Sequence, residues 1–119
     1  MTIEECYQRM EGNYDEVSRR LPSLRLIEKF VGKFLDDKSF EELCIQMENG
    51  NRAEAFRAAH TLKGVCANLS FTKLMNSASQ LTEELRPEAD EIPAAAADLM
   101  AAVRRDYEMT VDAIRSYLN

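Results

Sequence analysis

His60 is the only histidine in the chain, so any chemistry that needs an imidazole must run through it. Lys63 follows three residues later and Gly64 four residues later. Residues three and four apart share one face of a helix. An ammonium beside the ring can pair with an incoming phosphoryl oxygen. A glycine one turn away leaves room for another molecule to approach. Taken singly, these residues read more plainly. A lone histidine is more often packed or merely exposed, Lys63 alone is a surface lysine, and Gly64 alone permits close helix packing. Their common face is what joins them.

Other chemistries fare worse. The positions three and four residues from His60 hold Phe56, Arg57, Lys63 and Gly64. None is a usual metal ligand, so no metal site is expected. The three cysteines, Cys6, Cys44 and Cys66, form no CxxC pair and read as small buried thiols. No glycine-rich phosphate loop is present, so no ATP site and no bound cofactor are expected.

The helix that carries His60 can be read as a wheel. At about 100° per residue, Ala55, Ala59, Leu62, Cys66 and Leu69 make one apolar stripe. His60 falls about 145° from the centre of that stripe, so it should face outward. Its companions on the outward face are Ala53, Phe56, Arg57, Lys63, Gly64 and Ala67. A solvated face would carry Glu, Lys and Gln instead. Small and apolar residues around one imidazole point to a surface that another molecule covers.

The surrounding elements read as helices nearly throughout. Thr2 with Glu5 is a capping box for a short first helix, which Gly12 stops. A second short helix covers residues 14–20, ahead of Pro22. Ser23 caps a longer helix with Leu24, Ile27, Val31, Phe34 and Leu35 on its stripe. Ser39 with Glu42 forms another capping box, and Asn49-Gly50 ends that helix. Asn51 with Glu54 opens the His60 helix, about 52–69. A further helix runs from about Thr72 to Arg86, where Pro87 ends it. Residues 88–92 read as a loop. Pro93 suits the first turn of a last helix reaching about Leu118. The expected fold is all-α: an antiparallel four-helix bundle from about 39–118, with the N-terminal helices of 1–37 packed across it, as a single domain over 1–119.

Composition agrees. Of 119 residues, 45% are hydrophobic and 30% charged, which suits a globular protein rather than a disordered one. Only four glycines and three prolines occur, too few for the turns of an all-β fold. The net charge of −6 weighs against a nucleic-acid partner. No apolar run reaches membrane-spanning length, and the N-terminus lacks an apolar signal region. A cytoplasmic location is the expectation.

The stretch Ala59-His60-Thr61-Leu62-Lys63-Gly64, followed by Asn68-Leu69, resembles the signature of histidine-containing phosphotransfer (HPt) domains. FVGKFLDDKSFEEL, the turn ENGN, AEAFRAAHTLKG and FTKLMNSASQLTEELR are also similar to that family. The likeness covers about Tyr14 to Arg86, and the last helix fits by position.

The resemblance implies a phosphocarrier of two-component phosphorelays. His60 would accept a phosphoryl group from the aspartyl phosphate of a receiver domain and pass it to another receiver. Lys63 would be its electrostatic partner and Gly64 the access residue. Ala53, Phe56, Arg57 and Ala67 would form the docking face. Response-regulator receivers and a hybrid sensor kinase are the implied partners, and Mg²⁺ is expected on the receiver. No kinase or receiver domain accompanies this segment, which is therefore expected to be a free-standing relay protein. Two departures stand out. Many members have Gly where this chain has Ser70, which is expected to cap the next helix. Many also place a Gln on that helix to orient the imidazole, and by spacing Gln80 and Thr82 are the residues for that role. The alternative from another class is a helical adaptor that docks partners without phosphotransfer.

Overall fold

Local side-chain chemistry starts most of the helices. The computed structural model describes residues 1–119 and contains seven: α1 (Ile3–Arg9), α2 (Tyr14–Arg20), α3 (Leu24–Phe34), α4 (Ser39–Glu48), α5 (Arg52–Leu69), α6 (Thr72–Glu84) and α7 (Ala96–Leu118). Thr2 and Glu5 close the capping box of α1. The side-chain oxygens of Asn13, Ser23 and Asn51 accept the N–H groups of Glu16, Leu26 and Glu54 at the starts of α2, α3 and α5. Each bond satisfies a donor that the helix itself leaves unpaired.

Four boundaries differ from the sequence reading. Ser39 is the first residue of α4 rather than its cap, because the Asp37 carboxylate accepts the Ser39 N–H at 3.0 Å. Ser70 does not cap α6. It ends α5 in the left-handed region, at φ 57° and ψ 38°. α6 stops at Glu84, two residues short of Arg86. Pro93 lies ahead of α7, where the Ala96 and Ala97 N–H groups bond three residues back, to Pro93 and Ala94. Such turns precede the four-residue ladder of an α-helix.

α4 to α7 form the bundle. α4 and α5 meet through the short turn at 49–51, in which Gly50 has a φ of 68°. α5 and α6 meet through residues 70–71, and α6 packs on α7. Short connections make such neighbours antiparallel. Stacking of Phe40 on Tyr107, with ring centres 3.9 Å apart, brings α4 against α7. α1 lies along α7, and α3 also packs on α7.

Every helix contributes to one core of 26 buried hydrophobic residues. A run of touching rings threads it, from Tyr14 through Tyr7, Phe71, Phe34 and Tyr107 to Phe40. It ties the N-terminal helices to the bundle, with edge-to-face geometry where Phe34 meets Phe71. On α3, Ile27, Val31 and Phe34 are buried as the stripe predicts, but Leu24 is 49% exposed at the helix start. Cys6 and Cys66 are buried free thiols and Cys44 is half-buried. Burial, and secondarily the nearby Asp37 charge, pushes the Cys66 thiol well above its usual range. No helix is long and apolar enough to cross a membrane.

Candidate functional site

Helix α5 is held at both ends. At its start, the Arg52 guanidinium donates to the carbonyls of Leu85, Glu84 and Glu91. It thereby caps the end of α6 and secures the segment that follows. At its finish, the Arg20 guanidinium donates to the carbonyls of Ala67 and Asn68 and to the Ser70 hydroxyl. The Ser70 hydroxyl donates in turn to Glu16 at 2.7 Å. Tyr7 donates to the Leu69 carbonyl at 2.8 Å, and the Asn13 N–H to that of Ser70 at 2.8 Å. A positive charge at a helix C-terminus also complements the helix dipole. These bonds offset the cost of a non-glycine residue in the left-handed region. They explain how serine occupies a place where glycine is common.

Between these anchors the helix keeps the face that the wheel predicts. Ala55, Ala58, Ala59, Leu62, Cys66 and Leu69 are buried, while His60 is exposed at mid-helix. Ala53, Arg57, Gly64 and Ala67 are exposed with it, and Phe56 and Lys63 are half-buried. The Phe56 ring lies nearly parallel to the imidazole, 18° between planes and 6.2 Å between centres. Phe56 therefore sits beside His60 as well as on the outward face. Arg57 is engaged by Glu54 at 2.8 Å, and its carbonyl accepts the Thr61 hydroxyl.

Gly64 separates two explanations by geometry. A Cβ built there meets no atom within 4 Å. Close internal packing therefore does not require this glycine. The space outside it is open, one turn from the imidazole.

Neither residue considered for orienting the ring hydrogen-bonds to it; both are bonded or placed elsewhere. Thr82 is buried, and its hydroxyl donates back to the Ala78 carbonyl at 2.7 Å. Gln80 lines a groove with Asn76, Ala102 and Arg105, between α6 and α7. Gln80 thus faces α7, and the Thr82 hydroxyl is engaged within its own helix.

Two residues of the α6 end enter the site without having been singled out in the sequence. Glu83 accepts two hydrogen bonds from Arg86, at 2.8 and 3.0 Å. The Arg86 guanidinium carbon lies 5.8 Å from the centre of the Phe56 ring, a cation–π contact. The Arg86 bonds hold the Glu83 carboxyl below its usual range, and the Lys63 charge adds a smaller pull. The sequence signal was the pair of opposite charges three residues apart. Nothing local placed that pair against Phe56, the neighbour of His60.

The arrangement offers a solvent-facing nucleophile, an aromatic wall, an adjacent ammonium and an unobstructed approach. No three His, Cys, Asp or Glu side chains gather where they could hold a metal ion. The Hpt domain family model matches residues 2–116. No curated protein and no solved structure matches the chain.

Proposed function

The chain belongs to the Hpt domain family, whose members serve phosphotransfer in two-component systems, and on that premise we propose that His60 is the phosphoryl acceptor. A ring nitrogen of His60 attacks the phosphorus of a receiver's aspartyl phosphate. The new N–P bond forms as the acyl P–O bond breaks, and the aspartate carboxylate leaves. The reverse chemistry delivers the group to a second receiver. Such transfer depends mainly on positioning and charge. Lys63 offsets the negative charge on the transferring oxygens. Gly64 lets the two reacting atoms reach in-line distance. Ala53, Phe56, Arg57 and Ala67 form the surface on which the receiver seats. The divalent cation of the step belongs to the receiver, and this chain works as a phosphocarrier without an ATP site.

The observation that carries this reading is an exposed mid-helix imidazole with open space over the glycine one turn away. The test is incubation with labelled phospho-receiver domains. The expected result is label on the wild-type chain that survives base and is lost in acid, and none on His60→Gln. Label persisting on His60→Gln, or a wild-type chain that takes none, overturns the proposal.

A further inference from the structure

A carboxylate–guanidinium pair packs against the aromatic neighbour of His60. Glu83 binds the Arg86 guanidinium through both carboxylate oxygens. Arg86 rests over Phe56, and Phe56 stacks beside His60. The Glu83–Arg86 pair is thus one aromatic ring away from the imidazole. The Lys63 charge acts on the same carboxylate. Both partners of the pair are more than half exposed, so neither charge is buried out of reach.

A phosphoryl group brings between one and two negative charges and strong acceptor oxygens. Lys63 and Arg86 can serve those oxygens or the Glu83 carboxylate. We propose that Glu83 is a built-in competing anion, which holds Arg86 against the neighbour of His60 in the resting chain and restrains how readily His60 takes up a phosphoryl group. This rests on His60 being the acceptor. Glu83 is a tuning residue: it bonds to no reacting atom and acts through Arg86 and Lys63. A purely structural Glu83, needed only to hold Arg86 against Phe56, has the opposite consequence. Its removal would loosen Arg86 and slow phosphorylation.

The sign of one rate therefore decides. The probe is phosphoramidate, a small donor that needs no partner protein. Its P–N bond breaks and ammonia leaves as a His60 ring nitrogen forms the new N–P bond, with the imidazole proton passing to water. Glu83→Gln should raise the initial labelling rate of His60 roughly two- to fivefold, the scale of an exposed charge pair. The gain should shrink as salt is added. Glu83→Asp, which keeps the charge, should stay near the wild-type rate, and all three proteins should melt together. A Glu83→Gln rate at or below wild type overturns the inference alone, as does a Glu83→Asp rate as high as that of Gln. A wild-type chain that phosphoramidate labels anywhere but His60 overturns both the inference and the reading beneath it.

Discussion

The C-terminal end of α5 and its outward middle belong to one helix, and the rest of the chain treats them oppositely. At the end, the carbonyls of Ala67, Asn68, Leu69 and Ser70 all receive donors from α1, α2 or the turn between them. In the middle, Phe56 lies beside the histidine, the Arg86 pair packs against Phe56, and the face around Gly64 stays open. The glycines mark the contrast. A Cβ on Gly12 would lie 2.8 Å from both the Ser70 carbonyl oxygen and the Tyr7 ring, whereas one on Gly64 would touch nothing. A nucleophile on a helix needs a rigid mount and an empty approach, and α5 separates the two along its length.

The largest effect expected is on function, from filling the empty approach. Gly64→Gln should reduce phosphotransfer about a hundredfold or more, since small displacements of reacting atoms cost that much. Its melting temperature should not fall. Gly64→Ala should stabilise the chain by up to about 1 kcal/mol, because alanine is the better helix former. Transfer rates and melting curves for both variants check this. A Gln variant with full activity would break the comparison.

Filling the other gap should act on stability instead. Gly12→Ala should cost about 1–3 kcal/mol, because one of the clashing atoms is backbone and cannot swing away. Phosphorylation of the fraction that remains folded should be unaffected. A denaturant midpoint equal to wild type would show that the α5 end is less tightly tied than its hydrogen bonds indicate.

The smallest effect concerns acid. The Ser70 hydroxyl bond, and then the Arg20 charge, lower the Glu16 carboxyl below its ordinary 4.5. A depressed carboxylate contributes stability above its unfolded value and loses it as pH falls through the folded one. The chain should therefore weaken on acidification below about pH 4.5. Glu16→Gln should weaken less steeply over the same range. Parallel stability curves for the two proteins would remove Glu16 from the fastening of the α5 end.

Legibility followed the range of the interactions. The caps at Thr2, Asn13, Ser23 and Asn51 act within three residues, and three of them, with the 14–20 helix that Asn13 starts, could be read directly. Ser39 was misread because Asp37, two residues earlier, took the N–H that a capping box would have used. Ser70 was misread because its role depends on Glu16 and Arg20, about fifty positions away.

The sequence by itself determined that the chain is helical, where most helices begin, and that His60 faces away from the core. The reason is that a 3.6-residue period and side-chain caps are local properties. The tertiary structure alone decided what surrounds that outward face. The Thr82 hydroxyl bonds within its own helix, to the Ala78 carbonyl, and Gln80 lines the groove between α6 and α7. The packing of α6 on α5 brought the Glu83–Arg86 pair to Phe56. Helix rotation is set by how whole side-chain surfaces interlock, and no spacing along one strand of residues encodes it.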